Sequence, residues 1–367
     1  MTAAGTTGTN GTGVDVTPTR AAGARPDPAF WSGRRVLVTG HTGFKGAWLC
    51  LLLDQLGARV SGLALTAEPD GAFDAMRPPV AGEIADVRDA GAVAAVVRRA
   101  RPEIVLHLAA RALVGEGHAR PLETFATNVM GTAHVLEALR ETPAAVALVV
   151  TSDKVYRPNP SGEAFDEDSP LGGTDPYSAS KVAAEHVAAS WRERLRDIGC
   201  RVATARAGNV LGGGDRGAGR LAPDVIRAHR AGETLTLRRP EAVRPWQYVL
   251  DVLAGYLLYA RALAQGEAPP ALNFGPDAEA AITVAALAGQ LQQALGGPAG
   301  WRPGEPGFAE TAILRLDAGR ALRALDWRAA TPIGRALGWA AAWHEAAWRG
   351  EDMRRVGRRQ IEAWWAA

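Results

Sequence analysis

Tyr177 and Lys181 lie four residues apart in a stretch with helical spacing, so both side chains leave one face of a helix. A phenol beside an ammonium can exchange a proton with a hydroxyl while a hydride leaves the carbon that carries it. The cation is expected to lower the phenol's pKa for that purpose. The spacing alone is common among surface neighbours. A little upstream, an apolar run ends in Thr151-Ser152-Asp153-Lys154. Ser152 can hydrogen-bond the same substrate oxygen as Tyr177; the plainer reading of Ser152-Asp153 is a turn or helix cap. Lys45, Lys154 and Lys181 are the three lysines among 41 basic residues, and all the others are arginine. Arginine replaces lysine cheaply except where a compact charge or a removable proton is needed, so these three positions mark candidate chemistry.

A second motif precedes these. Thr39-Gly40-His41-Thr42-Gly43-Phe44-Lys45-Gly46 joins the apolar run Arg34 to Thr39 to a helical stretch. A strand, a glycine-rich turn and a helix N-terminus cradle a pyrophosphate, because glycines let the backbone approach and the helix offers free N–H groups. The reading is a dinucleotide site at Gly40, Thr42, Gly43, Phe44, Lys45 and Gly46. The acid expected about 20 residues on is absent, with Thr66 in its place. No arginine stands there to hold a 2′-phosphate, which favours NAD over NADP. Asp86 and Val87 are placed to meet the adenine. Leu108, Ala109 and Ala110 are small or apolar enough for the cofactor to lie close. Lys45 either contacts phosphate or packs on the loop.

The elements that must position these groups follow from periodicity. Strands are expected at 34–39, 59–65, 104–108, 146–151 and 201–206. Helices are expected at 46–57, 90–100, 124–139 and 177–198. Their alternation implies an α/β fold, a doubly wound parallel sheet of Rossmann type with a smaller C-terminal substrate-binding lobe. Residues 1–28 read as a disordered tail and 29–211 as the nucleotide domain, with a segment near 246–275 returning to it. Residues 212–245 and 276–367 form the second lobe. The 367 residues are 47% hydrophobic with a net charge of +2, which excludes wholesale disorder and an electrostatic nucleic-acid binder. No apolar run reaches membrane-spanning length. Cys50 and Cys200 stand alone, so neither a disulfide framework nor a metal site is expected, and the default compartment is the cytoplasm.

The blocks VTGHTGFKGAWL (38–49), HLAA (107–110), TNVMGT (127–132), TSDKVY (151–156), PLGGTDPYSASK (170–181), ARAGNVLGGGD (205–215) and RPWQYVLDVLAGYLL (244–258) resemble the extended short-chain dehydrogenase/reductase family. Within it they are similar to the CDP-glucose 4,6-dehydratase branch. The resemblance runs from about Phe30 to the C-terminus. It implies a lyase that binds NAD tightly and acts on a nucleoside-diphosphate hexose in three stages. C4 is oxidised with Tyr177 taking the O4 proton, water leaves across C5 and C6, and hydride returns to C6, giving a 4-keto-6-deoxy sugar. By resemblance, Ser152, Asp153, Lys154, Tyr177 and Lys181 are catalytic, with Asp153 the acid for the C6 hydroxyl. Lys154 is either the base at C5 or an electrostatic stabiliser of the enolate. Asn128 joins the cofactor residues, while Asn209, Arg220 and Arg244 hold the sugar nucleotide. A homodimer or homotetramer is implied, pairing through the helix that carries Tyr177.

Two other readings share the fold: a nucleotide-sugar 4-epimerase, and a non-catalytic NAD-sensing module. Asp153-Lys154 distinguishes the first, since an epimerase needs no acid and base at C5 and C6. Retention of Ser152, Tyr177 and Lys181 together argues against the second. The chain departs from the branch pattern at Arg111 and Ala112, at Gly115 to His118, at Val155, at Thr174 and at Arg216 to Gly219, and several of these positions are expected to flank the sugar pocket.

Overall fold

The computed structural model describes residues 23–159, 161–266, 268–277, 281–298, 300–305, 307 and 313–367. Seven parallel strands make one sheet: β1 (Arg35–Thr39), β2 (Arg59–Ala64), β3 (Ala81–Ile84), β4 (Ile104–His107), β5 (Val146–Val150), β6 (Arg201–Ala207) and an edge strand, Ala271–Phe274. Their order is edge strand, β6, β5, β4, β1, β2, β3. The chain therefore winds outward in both directions from β1. Thr39, at its carboxyl end, faces Leu63 of β2 and His107 of β4. That reversal opens a crevice where ligands bind in such sheets. The interior strands are apolar runs because both faces are covered. Val36, Val38 and Leu106 face one core; Leu37, Val105 and Val149 face the other.

Helix Phe44–Gln55 shows why the turn is so rigidly placed. Ala47 through Leu53 are all 0% exposed, so this helix is buried on every side. The sheet covers one side, and the C-terminal helix Met353–Trp365 crosses the other. Gly357 permits that crossing, since a Cβ there would meet Leu51 and Met76 at 2.7 Å.

Helix 124–139 differs from its expected form. The chain runs as an α-helix over Pro121–Phe125, a π turn over Ala126–Met130 and a second α-helix over Gly131–Glu141. The wider turn accommodates Asn128, which is drawn inward by hydrogen bonds outside its own helix. Such bulges arise where side-chain demands override the regular ladder.

Beyond β6 the chain forms short pairings: Val210–Leu211 with Gln247–Tyr248, Val243–Arg244 with Ile282–Thr283, and Leu235–Leu237 with Trp301–Pro303. Helix Val249–Gln265 then returns to the sheet and leads into the edge strand. Of the expected tail, residues 1–22 lie outside the described residues. Residues 23–28 are described and packed. Ala24 donates its N–H to the Asp326 carbonyl at 2.8 Å, and Arg25 lies 3.9 Å over the Trp364 ring. Among the described residues, no helix is long and apolar enough to cross a membrane.

Candidate active site

The glycine turn is fixed by contacts that tolerate no side chain. Gly40 has φ +72°, and a Cβ there would lie 2.8 Å from the Ala109 nitrogen. A Cβ on Gly46 would fall 2.1 Å from the Gly40 carbonyl oxygen. Gly43 caps helix Phe44–Gln55 with no side-chain hydrogen bond, so the N–H groups of the first turn are left for a ligand. Thr42 donates its hydroxyl to the Leu65 carbonyl at 2.8 Å, tying the turn to the end of β2. Leu108, Ala109 and Ala110 follow β4 and are half-buried beside it. Asp86 and Val87 follow β3. Arg88 hydrogen-bonds the Asp86 carboxylate and holds it below the usual range, and Val87 is buried. This cradle fits a dinucleotide pyrophosphate.

β5 ends directly at the second motif. Ser152 caps a short 3-10 turn over Asp153–Val155, accepting the Lys154 N–H at 3.2 Å. It also donates to Asp153 Oδ1 at 3.0 Å. The cap reading of Ser152 is thus correct, and its hydroxyl also pulls the Tyr177 phenol down against burial. Asp153 is 4% exposed, and its Oδ2 is buried with no hydrogen-bond partner. Burial pushes this carboxyl up, against the opposing pull of Lys154, the Ser152 hydroxyl, Arg244 and Lys45.

Tyr177 and Lys181 start the long helix Pro176–Arg196, whose first turn is capped by Asp175. Tyr177 corrects one expectation. Burial pushes its phenol up to about 12, and Asp153 adds to the rise, while Ser152 and Arg220 act in the other direction. Lys181 does not reverse this because its ammonium is itself desolvated. Burial and the neighbouring Lys45 push it down to about 7, and it donates to the Val150 carbonyl at 3.0 Å. The desolvation that makes the pocket useful outweighs the pairing that the four-residue spacing suggested.

Lys45 leaves the glycine turn and points into the same pocket, 5.8 Å over the Tyr256 ring. Burial and Arg220 push its ammonium down to about 8, opposed by Asp153 and Asp215. Arg244 is buried and acts on Asp153. Arg220 bridges the Asp215 carboxylate at 3.1 Å and the Ala112 carbonyl at 3.4 Å, spanning from the second lobe to the loop after β4. Asn209 accepts the Gln247 N–H on its carbonyl at 2.9 Å, where the chain enters the second lobe.

Asn128 is buried in the π turn. It accepts the Arg111 N–H at 2.8 Å and donates to the Arg111 carbonyl at 3.1 Å and to Ser180 Oγ at 2.8 Å. It thereby holds the loop after β4 against the Tyr177 helix. Gly117, among the departures from the branch pattern, has a role of the same kind. A Cβ there would lie 3.0 Å from Tyr177, so glycine lets helix Val114–Ala119 close on the Tyr177 helix.

Sequence reasoning missed two buried polar groups. His107 joins Thr39 Oγ1 at 2.7 Å and Thr132 Oγ1 at 3.1 Å, linking β1, β4 and helix Gly131–Glu141. Burial pushes its imidazole down to about 3. The other group is Glu185 with Arg206. Its signal was present, since Glu185 is an acid four residues past Lys181 on an inward-facing stripe.

Residues 36–275 match the NAD dependent epimerase/dehydratase family. The CDP-glucose 4,6-dehydratase of Salmonella typhimurium is 39% identical over 93% of this chain and 99% of that protein. A dTDP-glucose 4,6-dehydratase of Xanthomonas campestris is 30% identical over 66% of this chain and 71% of that protein. Among solved structures, a double mutant of dTDP-glucose 4,6-dehydratase from Streptomyces venezuelae, with NAD and DAU bound, superposes with a TM-score of 0.74. It is 28% identical, covering 86% of this chain and 98% of that one. The chain belongs to the NAD dependent epimerase/dehydratase family.

Proposed function

We propose that this protein is an NAD-dependent nucleotide-sugar 4,6-dehydratase whose substrate is CDP-glucose. The observation that carries the reading is the buried Asp153 carboxyl, protonation-prone and with one oxygen unpartnered, in one pocket with Tyr177, Ser152 and Lys154. Oxidation at C4 alone would need Tyr177, Ser152 and Lys181; a second acid beside them is the equipment of an elimination. The likeness to the Salmonella enzyme over nearly its full length favours CDP-glucose over other nucleotide hexoses.

When bound, NAD supplies the electron sink: a hydride leaves C4 and later returns at C6, so the cofactor ends each turnover as it began. Gly40, Thr42, Gly43, Phe44 and Gly46 would hold its pyrophosphate, and Asp86 and Val87 its adenosine end. Leu108, Ala109, Ala110 and Asn128 line the crevice. Tyr177 takes the O4 proton, with Ser152 bonded to the same oxygen and Lys181 fixed beneath. The resulting C4 ketone acidifies C5–H. Asp153 gives its proton to the departing C6 hydroxyl, which leaves as water. Lys154 either accepts the C5 proton or holds the enolate as a cation. A lysine accepts a proton only when neutral, whereas any cation stabilises an enolate. Lys154→Arg separates these roles: a rate loss of roughly 10²-fold or more is expected for a base. Near-native turnover leaves the electrostatic role.

By the resemblance, Arg220, Arg244 and Asn209 would take the sugar nucleotide, the two guanidinium groups holding diphosphate oxygens in pairs. Exposed Leu122, Phe125 and Met130, on the segment beside the Tyr177 helix, support association of two copies through that face. Cys50 and Cys200 are both buried free thiols, in keeping with a cytoplasmic enzyme. The test is incubation with CDP-, dTDP-, UDP- and GDP-hexoses and identification of the product. CDP-glucose is expected to yield a CDP-4-keto-6-deoxyhexose; conversion to a C4 epimer, or no conversion of any of them, would contradict the reading.

A further inference from the structure

Glu185 lies 5% exposed at the centre of the helix that carries Tyr177 and Lys181. Its two carboxylate oxygens accept four hydrogen bonds from outside that helix. Thr151 donates at 2.5 Å and Arg206 Nε at 3.0 Å to Oε1; Thr204 donates at 2.7 Å and Arg206 Nη2 at 3.0 Å to Oε2. Thr151 is the residue immediately before Ser152-Asp153-Lys154. Arg206 in turn donates through Nη1 to the Tyr156 hydroxyl at 3.0 Å and to the Glu167 carbonyl at 3.1 Å. Tyr156 follows the same segment on its other side, and its hydroxyl donates to Asn273 on the edge strand at 2.6 Å. One ion pair therefore grips both flanks of the acid-bearing turn and the middle of the Tyr177 helix.

We infer that Glu185, paired with Arg206, is a positioning residue that registers the Asp153–Lys154 turn against the Tyr177–Lys181 helix. Glu185 stands one helical turn from Lys181, the spacing at which side chains on a helix meet. The other titratable groups around Lys181 are Tyr177, one turn back on the same helix, Lys45, from the glycine-turn helix, and His107, from β4. Lys45 disfavours its charge, and Glu185 is the group that favours it. A buried pair of this kind need not add stability, because desolvation offsets its attraction. Its value lies in fixing geometry, where a misplacement of about 1 Å can cost roughly 10²-fold in rate.

The inference rests on the dehydratase reading for its rate effect but not for its charge effect, and the experiment separates them. Only three lysines occur in the chain, so protein grown with lysine labelled with carbon-13 at Cε gives three resonances, assignable with Lys45→Arg and Lys154→Arg. Native protein and Glu185→Gln are titrated with NAD absent, and turnover of CDP-glucose is followed separately. The expected result is a Lys181 titration displaced downward by about one pH unit in Glu185→Gln. Turnover is expected to fall roughly tenfold or more, with KM changed less than kcat. If Glu185→Gln leaves Arg206 unpaired and fails to fold, the double variant Glu185→Gln/Arg206→Met removes both charges and carries the same measurement. An unmoved Lys181 titration with unchanged kcat, whatever the melting temperature, would overturn the inference. If the native protein turns over no nucleotide hexose, the dehydratase reading fails. The lysine titration then still decides the role of Glu185.

Discussion

At the residue scale, one pocket holds several groups whose protonation is set by burial. Asp153 is pushed up, Tyr177 is pushed up to about 12, and Lys181 is pushed down to about 7. The direction at Asp153 suits a group that gives a proton, whereas the rise at Tyr177 runs against proton acceptance, which the positive nicotinamide ring of bound NAD and a charged Lys181 would offset. Asp153→Asn keeps the shape and removes the acid. Oxidation at C4 is then expected to proceed while water loss slows by about 10²- to 10⁴-fold. Reduced nicotinamide would accumulate, visible in its near-ultraviolet absorbance on mixing with CDP-glucose. Equal loss of both steps would show that Asp153 serves binding instead. The residue types and their spacing made Tyr177, Lys181 and Ser152 legible in the sequence. The direction of the Tyr177 shift was not, because desolvation depends on what the rest of the chain folds over the pocket.

At the scale of elements, the strand, turn and helix around Gly40 were legible because glycine and apolar runs report backbone demands that few other sequences satisfy. The π turn at Ala126–Met130 was not. Its cause is the bonding of Asn128 to Arg111 and Ser180, which are 17 and 52 residues away in sequence. The His107 relay was equally hidden, since Thr39 and Thr132 meet it only after strands pair. That relay has a consequence for pH dependence. The imidazole pKa falls from 6.5 to about 3 on folding, so the folded state binds the proton more weakly than the unfolded chain. The stability this gives is complete above about 6.5 and is lost as pH falls towards 3, at up to about 1.4 kcal/mol per pH unit. Urea denaturation between pH 7 and 5 is expected to show this slope, and His107→Asn is expected to reduce it. An unchanged slope in the variant would assign the acid sensitivity to other groups.

At the scale of the whole molecule, the two lobes are tied through helix Phe44–Gln55, which carries the glycine turn at its start and lies under the C-terminal helix along its length. Asp251 adds a second tie. Its carboxylate accepts the Trp364 indole N–H at 2.8 Å and the Thr331 N–H and hydroxyl at 3.0 and 2.9 Å, within the field of Arg25. Residues near both ends of the described chain thus converge on the helix that returns to the sheet. Period and alternation made the doubly wound sheet legible from the sequence. The packing of the C-terminal tryptophans was legible only as packing, because helix-face spacing does not name the partner face. In the proposed reaction the hydrogen removed from C4 reappears at C6 of the same sugar. CDP-glucose bearing deuterium at C4, turned over by the native enzyme and examined by nuclear magnetic resonance, tests it directly. Deuterium is expected in the C6 methyl group of a 4-keto product. Deuterium found back at C4 of an epimerised hexose would contradict it.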